Sequence, residues 1–112
     1  METMRWTDEG ILELLDQTRL PSQVVYIKCA NHREVAAAIK RLAVRGAPAI
    51  GAAAAFGLVL AGRSLKSLSG DEFIAGIRAA AAELAATRPT AVNLYWALER
   101  VTRRLEIGRA HV

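Results

Sequence analysis

The apolar positions of this chain follow two periods. Over the first thirty residues they come in short runs, MRWT, ILELLD and QVVYIK, separated by DEG and TRLPS, both rich in turn formers. Val24, Val25, Tyr26 and Ile27 are β-branched or aromatic, so QVVYIK predicts a strand. ILELLD fits a strand or a helical turn, because so short an apolar run does not separate the two. After Lys28 the period becomes helical. Asn31 with Glu34 three residues on forms a cap and its capping-box partner, opening HREVAAAIKRLAV with Val35, Ile39 and Leu42 as the inward stripe. Arg45–Gly46 breaks that helix. Pro48 suits the first turn of the next, where a missing N–H would have no partner anyway, and this second helix continues through IGAAAAFGLVLA to near Gly62. Ser69 and Glu72 cap a third, DEFIAGIRAAAAELAA. A fourth follows TRPT, with Thr90 as its cap, and carries Val92, Leu94, Tyr95, Trp96, Leu98 and Val101.

The pattern predicts a small sheet followed by four helices, an α+β chain. Strands and helices do not alternate, which excludes a doubly wound sheet within these residues. A length of 112 residues suffices for one domain with a modest core. With 53% hydrophobic and 23% charged residues the chain reads as folded. Aromatics make up only 5%, so alanine and aliphatic side chains must fill the core, and alanine lets helices approach closely. The uncharged stretch from Gly46 to Gly62 falls short of the roughly 18 apolar residues of a spanning helix, and Pro48 lies near its start, so it reads as a buried helix and not a membrane segment.

Composition excludes several functions. The net charge of +4 comes from arginines scattered between Arg5 and Arg109, with neither an aromatic-interleaved basic stripe nor zinc-finger spacing, so a solvated basic surface is expected and nucleic acid is not. Cys29 is the only cysteine, which rules out an intrachain disulfide and fits a reducing, cytoplasmic compartment. The opening METMRWTDEG has no apolar leader core. One cysteine and one credible histidine do not make a metal site, and no cofactor is expected.

Chemistry concentrates at RGAP. A helix N-terminus presents unpaired N–H groups and the positive end of the helix dipole, which attract phosphate. Gly46 allows close backbone approach, and Arg45 can donate two parallel hydrogen bonds to phosphate oxygens. TRPT repeats the arrangement with Arg88 ahead of Pro89, and two such helix mouths could serve one anion if their helices pack side by side. The plainer reading of each is a surface arginine at a helix boundary. Asn93, one turn into the fourth helix, could orient a sugar hydroxyl or cap a neighbour. Cys29 near His32 suggests a nucleophile–base pair, but no third group orients the histidine, so a semi-buried thiol and a first-turn histidine are expected instead. Asp16 and Arg19 form a local turn pair, and Glu83 and Glu99 lie on solvated helix faces. The last residues, EIGRAHV, add no cap, turn or apolar stripe. Back-translated as GAG ATC GGA AGA GCA CAC GTC, they spell the start of a common sequencing adapter. Residues 106–112 are therefore expected to be a non-native tail, leaving Arg109 and His111 without a role, and residues 1–105 the domain proper, itself a piece of something longer.

Taken together, LLDQTRLP, VAAAIKRLAVRGAPAIGAAAAFG and TRPTAVNLYWAL resemble the S-methyl-5-thioribose-1-phosphate isomerases of methionine salvage, from about Met4 to Leu105. RGAPAIG followed by RPTAVNL at this separation is the specific part. The resemblance implies an N-terminal antiparallel sheet with helices, followed in the family by a Rossmann-like domain that is absent here. It implies a cofactor-free aldose–ketose isomerisation and a homodimer at full length. The family's substrate contacts fall on Arg45, Gly46, Ala47 and Arg88, and its catalytic cysteine and aspartate belong to the later domain. Cys29 does not match the motif of that cysteine, so no catalytic residue is expected here, and this chain alone should be inactive. Two related readings compete: a regulatory subunit of a translation initiation factor, which is an interaction protein, and a ribose-1,5-bisphosphate isomerase.

Overall fold

Three strands and four helices follow one another in the computed structural model, which describes residues 2–41, 43–44, 46–88 and 92–110, with only the backbone for 47, 92–93 and 108–110. Strands β1 (Met4–Trp6), β2 (Leu12–Leu15) and β3 (Tyr26–Cys29) form an antiparallel sheet with β2 in the middle. Met4 pairs with Leu14 on one side, and Leu14 with Ile27 on the other. ILELLD is thus a strand. Its Leu12 and Leu14 are fully buried against the helices, while Glu13 between them reaches Arg5 of β1 at 3.2 Å.

QVVYIK enters the sheet only at Tyr26. Opposite Val25, the β2 chain turns away at Asp16, whose side chain caps a single 3-10 turn, Gln17–Arg19. One backbone bond, Asp16 N–H to Val25 O at 2.8 Å, is the last across this pair, and Val24 stays exposed.

Helices α1 (His32–Lys40), α2 (Ala47–Ser64), α3 (Gly70–Ala86) and α4 (Val92–Ala110) complete the domain. Asn31 caps α1, accepting from the Glu34 N–H at 2.9 Å, while Glu34 bonds back to the Ala30 N–H. Ser69 caps α3 the same way through the Glu72 N–H. α1 stops at Lys40, earlier than the apolar run suggests, because the Ala43 N–H loops back to the Ala38 carbonyl at 3.0 Å. Val35 and Ile39 are buried as the stripe requires, and Leu42 lies outside the described residues, as does the cap expected at Thr90.

α2 is the hub, packed on α1, α3 and α4. Small side chains make this possible: Ala53, Ala54 and Ala61 are buried, and Gly57 abuts Leu84 and Val35 so closely that an added Cβ would lie 3.3 Å from both. On α4, Leu94 and Leu98 point inward. Tyr95 and Trp96, grouped with them by the sequence pattern, are instead 60% and 69% exposed, because they follow Leu94 directly and a helix turns successive residues away from its buried face.

Candidate functional site

Of the helices whose entry is described, α2 alone begins without a capping side chain. Its N-cap is Gly46, at φ 88° and ψ 134°, and its first turn contains Pro48. Gly46 O accepts the Ile50 N–H at 2.9 Å and so opens the helix, but no side chain answers the N–H groups of the first turn. A Cβ at Gly46 would meet nothing within 4 Å, so glycine is required there by the backbone dihedrals and not by crowding. Ala47 and Ala49 carry first-turn N–H groups without a side-chain cap, and Pro48 has none to offer.

Helix directions bring a second mouth to the same end. α3 runs antiparallel to α2, since Gly57 meets Leu84 whereas Gly62 meets Ile77 and Phe73. It also runs antiparallel to α4: Arg78 at its middle bonds Glu106 at 2.7 Å, and Ala85 near its end shares a groove with Tyr95. α2 and α4 are therefore parallel, with Gly62 of one against Leu105 of the other. Stepping back along each axis at 1.5 Å per residue, about 20 Å, brings Ala49 and Val92 level. The N-terminal ends of α2 and α4 face one end of the bundle.

Arg88 belongs to the link between α3 and α4. Its N–H bonds Ala85 O at 3.3 Å, just beyond Thr87, whose hydroxyl donates to Leu84 O at 2.6 Å. The residue is half-buried, and among the described residues its guanidinium has no carboxylate partner. Arg45 lies outside the described residues. Ala47 is described as the first residue of α2 and Asn93 as part of the first turn of α4, each by its backbone.

Sequence reasoning missed the reach of Asp16. It is 1% exposed, and its Oδ1 accepts from the Thr18 N–H at 3.0 Å and the Thr18 hydroxyl at 2.5 Å. The expected pairing with Arg19 is present at 3.7 Å, but Oδ2 also meets Arg41 at 3.5 Å, from the end of α1. Burial pushes this carboxyl up, yet the Thr18 hydrogen bonds and the charges of Arg41 and Arg19 outweigh it, holding Asp16 below the usual carboxylate range. One signal was legible: an acid closing an apolar strand, with Thr two residues later, is an Asx-turn pattern.

The remaining candidates resolve simply. Cys29 is fully buried, and burial together with the Glu34 charge, partly offset by Arg41, pushes its thiol up to about 11. His32 turns to Glu83 at 3.2 Å and makes no pair with the thiol. Glu83 thus ties α3 to α1, joined also by Arg33 at 3.6 Å, while Glu99 makes only an exposed pair with Arg103 at 3.5 Å. Among the described residues no cluster of His, Cys, Asp and Glu could hold a metal ion, and no helix is long and apolar enough to cross a membrane.

This arrangement has known counterparts. Residues 43–111, which include the whole of α2 and both helix mouths, match the model of the Initiation factor 2 subunit family. The chain belongs to that family. The chain is 63% identical over 108 residues to a methylthioribose-1-phosphate isomerase of Pelotomaculum thermopropionicum, covering 96% of this chain and 30% of the relative. It is 55% identical over 111 residues to one of Heliobacterium modesticaldum, covering 99% of this chain and 32% of the relative. Two crystal structures share its fold. One is a 5-methylthioribose 1-phosphate isomerase from Pyrococcus horikoshii OT3, with a TM-score of 0.82 and 36% identity, over 97% of this chain and 35% of that one. The other is the translation initiation factor eIF-2B, subunit delta, from A. fulgidus, with a TM-score of 0.81 and 40% identity, over 99% of this chain and 36% of that one. The chain spans about a third of the length of these relatives.

Proposed function

We propose that this chain is the N-terminal part of a cofactor-free isomerase of methionine salvage that converts 5-methylthioribose 1-phosphate to 5-methylthioribulose 1-phosphate. In this reading Arg45, Gly46, Ala47 and Arg88 grip the sugar phosphate. The observation that carries it is the parallel pairing of α2 and α4, which turns two helix N-termini to one end of the bundle, with Arg88 between α3 and α4 and without a carboxylate partner among the described residues. The names of the relatives supply the substrate.

The chemistry asks for such a grip. The anomeric oxygen carries the phosphate, so the sugar cannot open as a free aldose does. The site must hold the phosphate while the ring opens and a hydrogen passes from C2 to C1. Fixed N–H donors and guanidinium groups position the sugar for that step. The cysteine and aspartate that act on the carbons belong to the domain that follows, so residues 1–112 alone bind weakly and do not turn over. The full-length enzyme works as a cytoplasmic homodimer without nucleic acid, and residues 106–112 are a non-native tail.

The test uses the full reading frame that contains this chain, assayed with 5-methylthioribose 1-phosphate. Arg45→Ala, Arg88→Ala and Gly46→Ala are each expected to raise KM by about 10- to 100-fold, the worth of one charge-assisted hydrogen bond or of a displaced donor set. Unchanged KM in all three would dismiss the site. The likeness to the eIF-2B delta subunit favours a second reading, a regulatory subunit. That reading predicts no turnover by the full protein and a stable complex with a protein partner.

A further inference from the structure

We propose that Asp16 is a positioning residue for the mouth of α2, its carboxylate fixing the loop that leads from α1 into Gly46. The inference rests on the reading of that mouth as the phosphate grip. Capping the 3-10 turn occupies only Oδ1, through the backbone and hydroxyl of Thr18. Oδ2 faces two guanidinium groups, Arg19 within the turn at 3.7 Å and Arg41, the residue that ends α1, at 3.5 Å. The next residue, Gln17, donates its N–H to Ala43 O at 2.9 Å. The loop is thus tied to the β2–β3 connection at Arg41 and again at Ala43, while the Ala43 N–H ties it to α1 through Ala38 O. Ala43 and Val44 are buried beneath these ties.

Arg41 and Ala43 are each held from two sides, while at Gly46 an added Cβ would meet nothing within 4 Å. A neutral Asn would cap the turn equally well through its carbonyl oxygen. A buried charge is costly unless it is paired, and here the pairing reaches beyond Arg19 of the turn to Arg41, which joins the turn to the end of α1. The ionised second oxygen supplies a charge-assisted anchor on Arg41, and a donor set displaced by about 1 Å loses its hold on a phosphate.

Asp16→Asn in the full-length protein tests this, because it keeps the acceptor for Thr18 and turns an amide toward Arg41. The expected result is a KM for 5-methylthioribose 1-phosphate raised by about ten-fold with kcat within about three-fold, the signature of lost binding common to ground and transition states. Arg41→Ala should match it, Arg41→Lys should recover part of the loss, and Asp16→Asn with Arg41→Ala should be no worse than either alone. Inorganic phosphate, titrated by calorimetry, should bind the Asp16→Asn protein more weakly by a similar factor. A lowered Tm with KM and phosphate affinity unchanged would overturn the positioning role and leave Asp16 as a turn cap. Wild-type protein that binds phosphate but turns nothing over removes the isomerase reading and leaves the positioning role to the phosphate titration. Wild-type protein that does neither overturns both.

Discussion

Asp16 is the only charged side chain that the described residues bury completely, and its surroundings set how the chain answers acid. Burial raises its pKa, and the Thr18 hydrogen bonds with the Arg41 and Arg19 charges lower it further than burial raises it, so the folded value lies below that of a free carboxylate in the unfolded chain. Between those two values the folded state holds fewer protons than the unfolded state, and added acid therefore favours unfolding. The contribution is complete above about pH 4 and is lost as pH falls through the folded value. Urea melts followed by tryptophan fluorescence should show stability falling below about pH 4 in the wild type. Asp16→Asn should have a shallower acid slope over the same window. An identical slope in both proteins would assign acid sensitivity to other carboxylates.

At the scale of elements, α2 and α3 show that two helical glycines can differ in purpose. Gly57 faces Leu84 and Val35, both fully buried and held on all sides, with only 3.3 Å available to a Cβ. Gly76 on α3 faces the free end of Leu65, a half-buried side chain beyond the end of α2, which can swing away. Alanine gains up to about 1 kcal/mol of helix propensity at either position. At Gly57 overpacking of about 1–3 kcal/mol outweighs that gain, so Gly57→Ala should lower stability by about 1 kcal/mol. Gly76→Ala should leave it unchanged or raise it slightly. Thermal melts of the two variants decide the matter, and equal effects would show that the α2–α3 interface is not tightly packed.

As a whole the molecule is a slab, 47 × 32 × 18 Å across its Cα atoms, and 18 Å leaves room for only about two layers of elements. Among the described residues none covers the outer face of α4, and Tyr95 and Trp96 stand there beside Arg100 and Arg103. Large exposed aromatics of this kind drive association. Sedimentation of the chain should give a mass that rises with concentration, and Trp96→Lys, a surface change of little consequence for folding, should shift it toward monomer. Concentration-independent monomer in the wild type would refute this.

The same scale separates what was legible in the sequence from what was not. Asn31, Ser69, Gly46 and Pro48 announced their helix boundaries, because capping and backbone dihedrals are decided within a few residues. The early end of α1 and the late entry of QVVYIK were not legible. Both depend on bonds to distant parts of the chain, Gln17 to Ala43 and the turn at Asp16 that removes the partner of Val24. The pairing of Asp16 with Arg41, 25 residues apart, left no local trace either.

Local chemistry by itself determined a small sheet followed by four helices, the alanine-lined core and the glycine–proline entry to α2, because each follows from propensity and period, while pairing in the sheet made ILELLD a strand. Only the packed structure decided that α2 and α4 run parallel, that their entries share one end, and that a carboxylate just past β2 reaches the end of α1. Those outcomes depend on which surfaces meet in three dimensions, and the spacing of residues along a chain does not encode that.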